Sequence, residues 1–225
     1  MERRTKIIGV TATTITATMV ILAALGGPVL GANTTVTVQV PTGTFYSGST
    51  FTVPIYCGPG QPIKAFEMKI NYNPSVLKVL TVTEGNIFTA TNQTFFSPGI
   101  IDNVNGNVKN VYDLIIGTGL TSNPGNMILV TFQAVNYGTT SITLTGVGVA
   151  NNTQYVPITI VNGTVTIYSS YDMNLDKTIN LLDLTDVASH YGESGTPGWI
   201  KEDINKDGVV RVLDLVLVAT HWGPY

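Results

Sequence analysis

From Thr34 to Tyr168 apolar residues fall at every second position, and this alternation restricts the fold more than any other feature of the chain. Val36, Val38 and Val40 alternate with Thr35, Thr37 and Gln39, and Phe51, Val53 and Ile55 repeat the pattern. Phe66, Met68, Ile70 and Tyr72 share one side of a strand that carries Glu67, Lys69 and Asn71 on the other. Successive side chains of an extended segment point to opposite faces, so each such segment buries one face and wets the other. The runs 128–132, 141–144, 156–160 and 164–168 also read as strands. Between them stand turn signals such as Pro41-Thr42-Gly43, Gly58-Pro59-Gly60, Asn123-Pro124-Gly125 and Asn162-Gly163. Many short strands joined by Gly, Asn and Pro turns predict a mainly β fold, a β-sandwich. The span 33–168, roughly 135 residues, is long enough for a self-contained core.

Ser169-Ser170-Tyr171 marks a boundary, and the period changes beyond it. Leu184, Val187, Ala188 and Tyr191 lie at i, i+3, i+4 and i+7, a helical stripe, and Leu215, Val218, Ala219 and Trp222 repeat it. Gly192 and Gly223 follow the two stripes where a left-handed cap is wanted. Seven of the fourteen positions from Ile179 to Gly192 are identical in Val210 to Gly223, so residues 169–225 form a tandem repeat able to bury its two stripes against each other.

Each repeat opens with oxygen-bearing residues at the spacing of a calcium loop. In the first, Asp172, Asn174, Asp176 and Asn180 precede a closing Asp183, with the Thr178 carbonyl as backbone donor. In the second, Asp203, Asn205 and Asp207 precede Asp214, with the Val209 carbonyl in the equivalent place. A tight loop turns positions 1, 3, 5, 7, 9 and 12 inward around one hard cation, so two calcium ions are expected. Lys177 occupies position 6 of the first loop, where glycine makes the sharp turn, so strain is expected there. Arg211 replaces the ninth-position oxygen of the second loop, and a guanidinium cannot coordinate a cation. With no helix before Asp172 and Asp rather than Glu at position 12, each unit fits half an EF-hand better than a whole one. Clustered acids repel without metal, so calcium is expected to drive folding of this segment.

Nine of the fourteen acidic residues lie between Asp172 and Asp214, and no basic stripe exists, so a nucleic-acid partner is not expected. Arg3, Arg4 and Lys6 precede an uncharged run from Ile7 to Ala32. That run is read as a signal peptide over 1–32, or alternatively an uncleaved membrane anchor; its threonines dilute the hydrophobicity and favour the former. Either reading places the remainder outside the cytoplasm. The single cysteine, Cys57, follows an alternating strand and is expected to be buried. No G-x-S-x-G, H-E-x-x-H or Cys/His pairing is present, so the chain is not expected to be an enzyme. Glu67 and Glu84 read as solvated strand residues, and His190 and His221, at equivalent repeat positions, as structural.

The stretches Asp172–Gly192 and Asp203–Gly223, above all Asp203-Ile-Asn-Lys-Asp-Gly-Val-Val with Leu213-Asp-Leu-Val-Leu-Val-Ala, resemble the paired repeats of dockerin modules. Gly48-Ser-Thr-Phe-Thr-Val-Pro-Ile, Phe66-Glu-Met-Lys-Ile-Asn-Tyr-Asn-Pro-Ser-Val-Leu-Lys-Val and Val161-Asn-Gly-Thr-Val-Thr-Ile resemble cohesin strands. The resemblance implies a jelly-roll sandwich of about nine strands at 33–168 and a small helical dockerin at 169–225. It further implies a secreted, non-catalytic scaffold that assembles with proteins carrying cohesin or dockerin domains, in the best-known cases for polysaccharide degradation. A carbohydrate-binding or surface protein with calcium-stiffened repeats is the alternative, and Tyr46, Phe95, Phe96 and Tyr112 are its candidate aromatic strip. The dockerin resemblance also implies that positions 10 and 11 of each loop carry the partner contact, here Leu181-Leu182 and Val212-Leu213. Val216 and Leu217 extend that apolar surface outside the helical stripe, so the second helix needs something to cover it, a partner or the chain's own sandwich. The few residues from Tyr168 to Tyr171 reach only ~10–14 Å, which favours contact in trans, including with another copy.

Overall fold

The computed structural model describes residues 33–89 and 93–225. The expected targeting or anchoring segment 1–32 lies outside the described residues. Among the described residues, twelve strands occupy the alternating region. They are β1 (Thr34–Val38), β2 (Phe45–Tyr46), β3 (Thr50–Gly58), β4 (Ala65–Asn71), β5 (Leu77–Glu84), β6 (Thr94–Ser97), β7 (Ile100–Asp102), β8 (Asn107–Ile115), β9 (Gly125–Ala134), β10 (Gly138–Ala150), β11 (Ile158–Val161) and β12 (Gly163–Tyr168). One sheet runs β11-β1-β3-β9-β5 and the other β2-β12-β10-β4-β8-β6, with β7 also paired to β8. The expectation of about nine strands is corrected to twelve because the edges are fragmented. Pro98, which has no N–H to give a ladder, and Gly99 at φ 78° break one edge into β6 and β7.

The inward faces are those the alternation selects. Val36, Val53, Ile55, Phe66, Met68, Ile70, Val130, Phe132, Val165 and Ile167 are buried between the sheets. Tyr72 meets Phe132 edge-on, ring centres 5.5 Å apart, across the two layers. Cys57 is buried among them, and burial pushes its thiol up to about 12. β8 places Val111, Asp113 and Ile115 on the inward side, so an acid stands where the pattern calls for an apolar residue.

After β12 come β13 (Thr178–Ile179), α1 (Leu181–Ser189), α2 (Val212–Ala219) and β14 (Gly223–Pro224). The two repeats embrace reciprocally. Thr178 and Ile179 pair with Pro224 and Gly223 beyond α2. The matching residues of the second repeat, Val209 and Val210, pair with the segment beyond α1: Ser194 bridges to Val209, and Gly192 N–H donates to Val210 O at 2.8 Å. A second, smaller core lies between them, built from Ile179, Val187, Val210 and Val218 with Met173, flanked by Leu184 and Leu215. Four of the predicted stripe positions are corrected: Ala188 and Ala219 are exposed on the open side between the helices, and Tyr191 and Trp222 are exposed because α1 ends at Ser189 and α2 at Ala219 before the seventh-residue position is reached. Tyr225 ties this part to the sandwich. Its ring packs on Tyr137 with centres 4.5 Å apart, and its hydroxyl oxygen accepts from Ser169 N–H.

Candidate metal centre and docking faces

The two loops share most of their internal hydrogen bonds. Asp172 accepts from the N–H groups of Asp176 (3.2 Å) and Lys177 (2.9 Å). Asp203 accepts from Asp207 (3.1 Å) and Gly208 (3.0 Å). The closing acids behave the same way: Asp183 accepts from Asn174 and Asn180, and Asp214 from Asn205 and Arg211. Asp176 and Asp207 each take one side-chain amide bond, from Asn174 and Asn205. That bond holds the Asp207 carboxyl below its usual range. Lys177 has φ 68° and Gly208 φ 90°, so both loops turn through the left-handed region at position 6. Asn180 caps α1, accepting from Leu182 N–H at 2.8 Å. Arg211 stands at the same place before α2 without a side-chain cap bond.

Asp172, Asp183, Asp203 and Asp214 are at most 2 % exposed. Among the described residues, no cationic side chain forms an ion pair with any of them. Buried carboxylates are stable only when paired, hydrogen-bonded or bound to metal. Backbone N–H groups, with Tyr225 Oη donating to Asp172 at 2.6 Å, satisfy hydrogen bonds here but leave the charge in place. A donor set of carboxylates, amide oxygens and the Thr178 and Val209 carbonyls fits a hard divalent ion.

Next to the loops the helices leave an apolar face open. Leu181, Leu182, Val212, Leu213 and Val216 are exposed, whereas Leu217 is half-buried. Leu181, Leu184, Ala188, Leu215, Val216 and Ala219 line a groove of about 450 Å³ between α1 and α2. The chain's own sandwich therefore does not cover this surface.

The sandwich has a face of its own. A cleft of about 760 Å³ on the outside of β4 and β8 is lined by Glu67, Lys69, Ile100, Lys109 and Tyr112 among others. Phe95 and Tyr112 stack beside it with centres 6.0 Å apart. The other two aromatics do not join them: Phe96 packs against the core, and Tyr46 lies on β2 at the far edge of the sheet. Glu67 and Glu84 also separate. Glu67 accepts from Tyr155 Oη at 2.7 Å on the outer face, while Glu84 lies on the other sheet. Glu84 faces Asp113 instead, and accepts from Thr94 Oγ1 at 2.5 Å. Burial, and secondarily Glu84, push the Asp113 carboxyl up to about 7. Sequence reasoning missed both the outer cleft and Asp113. The outward positions of β4 and β8 were the available signal for the first, and the Val111, Asp113, Ile115 alternation for the second.

The model of the Cohesin domain family matches residues 34–167. The chain belongs to the cohesin family. Among solved structures, a type II cohesin from the cellulosome of Acetivibrio cellulolyticus is 13 % identical with a TM-score of 0.51, over 59 % of this chain and 95 % of that one. A cohesin–dockerin type I complex from Clostridium thermocellum gives 18 %, 0.50, 61 % and 94 %. A non-cellulosomal cohesin from the archaeon Archaeoglobus fulgidus gives 20 %, 0.49, 63 % and 95 %. No curated protein matches the chain. At these identities the likeness to the solved structures is one of fold. The cohesin match ends at Ile167, just before the tandem repeat begins.

Proposed function

We propose that this cohesin-family protein is a non-catalytic extracellular adaptor with a socket and a plug on one chain. The sandwich, 33–168, is the socket for a dockerin-like partner. Residues 169–225 are a dockerin module whose loops take two calcium ions. The first ion is held by Asp172, Asn174, Asp176, Thr178, Asn180 and Asp183, the second by Asp203, Asn205, Asp207, Val209 and Asp214. The metal neutralises the buried acids and fixes the first turn of each helix, because Asp183 and Asp214 belong to loop and helix at once. Fixing those turns presents Leu181, Leu182, Val212, Leu213 and Val216 as one apolar surface, with half-buried Leu217 beneath it.

The observation that carries this reading is the set of four buried carboxylates with no ion-pair partner among the described residues, held by largely the same backbone bonds in both loops, beside an uncovered apolar groove. A groove of that kind is stable in water when a partner covers it. The partner class is a protein with a complementary cohesin, a second copy acting in trans among them. The test is capture of residues 33–225 by a panel of immobilised cohesins, in millimolar calcium and in chelator. Capture is expected only with calcium, and the pair Leu213→Asp and Val216→Asp is expected to abolish it with the helical signal intact. Capture that survives both treatments, or none on any cohesin including its own, contradicts the proposal. The stacked Phe95 and Tyr112 favour a second reading, sugar binding on the sandwich, which would survive chelation; two rings give a short platform for a polysaccharide.

A further inference from the structure

The tandem repeat contains its own comparison for the two histidines. In the second repeat His221 stacks flat on Tyr171, centres 3.7 Å apart and planes 14° apart, which gives it a packing role. The equivalent pair in the first repeat, 31 residues away in register, is His190 and Glu202. The aromatic is thus replaced by a carboxylate, and Leu217 of α2 is replaced by Asp186 of α1. These changes gather a different set of groups. One ligand atom each from Asp186, His190 and Glu202 lies within 4.8 Å of the others. Asp186 and His190 are one helical turn apart at i and i+4, and so share a face.

Glu202 supplies an independent observation. It is 1 % exposed, and its Oε2 is buried with no hydrogen-bond partner. Its other oxygen lies 3.3 Å from Lys201 Nζ, which also reaches Asp186 at 2.8 Å and the Met173 carbonyl at 3.0 Å. The lysine therefore serves one side of the cluster and leaves a buried carboxylate oxygen unsatisfied. Such an oxygen is expensive to bury unless something cationic or a donor meets it. His190 Nδ1 is bonded to Glu193 Oε2 at 3.1 Å. A carboxylate on one ring nitrogen fixes the tautomer and frees the other for a metal.

We propose that Asp186, His190 and Glu202 form a site for a borderline divalent cation of the zinc class, separate from the two calcium loops. An imidazole with two carboxylates suits zinc, whereas calcium takes oxygen ligands alone. Ligands about 2.1 Å from a tetrahedral zinc lie roughly 3.4 Å apart, so from separations within 4.8 Å the cluster contracts by at most about 1.4 Å. Asp186 and His190 are half-buried, and Asp186 moves by giving up its bond to Lys201. Water fills the fourth position. Bound metal clamps α1 of the first repeat to the segment that enters the second loop, since Glu202 adjoins Asp203. Lys201 is the competitor: its ammonium must swing out as the metal enters.

Zinc competition against a chromophoric chelator, run on residues 33–225 in millimolar calcium, tests this with the calcium loops filled. One zinc per chain is expected. His190→Ala should weaken uptake at least about tenfold. His221→Ala should leave it unchanged, and Lys201→Met should strengthen it. His190 is half-buried and His221 exposed, so both alanine variants are compared at an unchanged helical signal, and cobalt in place of zinc gives a visible absorption band that His190→Ala should remove. Absence of zinc uptake by the unaltered chain, or uptake that His190→Ala leaves intact, overturns the site. Either failure leaves the calcium loops and the adaptor reading untouched.

Discussion

Lys177 holds a backbone conformation that a side chain with a Cβ adopts at a cost of roughly 1–2 kcal/mol. Lys177→Gly should therefore raise the stability of the repeat in saturating calcium by about 1 kcal/mol, read from the urea midpoint of the helical signal. Gly208→Lys should do more harm than that gain, because a Cβ at Gly208 would stand 2.8 Å from the Gly195 carbonyl. Asp113 sets a different kind of prediction. Its carboxyl titrates near 3.8 in a solvated chain and about 7 in the fold, raised by burial first and by Glu84 second. Between those values the folded chain keeps a proton that the unfolded chain releases, so this group's contribution falls as pH rises towards 7. Asp113→Asn should gain stability relative to the parent at pH above 7 and gain little near pH 4; an equal difference at both pH values would refute this. The duplicated spacing of acids and amides in the two loops was legible because it is a local pattern. Asp113 was not, because alternation assigns a face without saying which residue breaks the rule there, and its partner Glu84 comes from the other sheet.

At the scale of elements, propensity and period placed the strands and helices, but tertiary pairing set their ends. The helical stripe extended to Tyr191 and Trp222, yet both helices stop early because the residues that follow are drawn into pairing with the opposite loop. Gly192 and Gly223, both at positive φ, make that departure possible. The reciprocal embrace joins residues about 15 to 45 positions apart and has no local signature. The last residue takes part in it: Tyr225 Oη donates to Asp172 and accepts from Ser169, and burial together with the Asp172 bond raises its phenol above the usual range. Tyr225→Phe removes a bond to a charged group. It should destabilise the tandem repeat by about 1.5–3 kcal/mol while leaving the melting of the sandwich unchanged.

For the whole molecule, two cores imply two stabilities. The sandwich buries a large apolar interior between its sheets, whereas the tandem repeat rests on a small cluster around Ile179, Val187, Val210 and Val218. Chelation should therefore abolish the helical signal and leave the β signal, so that only the sandwich melts in chelator, whereas calcium restores a separate transition of the repeat. A single transition in chelator, with helix and sheet lost together, would show that the repeat does not depend on metal. The division into an alternating and a helical region was legible in the sequence. What the outer surfaces meet was not, because an exposed apolar residue reads the same whether a partner or a neighbouring strand covers it. The central claim, that the tandem loops capture divalent ions and thereby shape the plug, is tested most directly by counting calcium bound to residues 33–225 at equilibrium dialysis. The account predicts two ions per chain, one after Asp183→Ala or Asp214→Ala and none after both; no bound calcium, or a count that these substitutions leave at two, would contradict it.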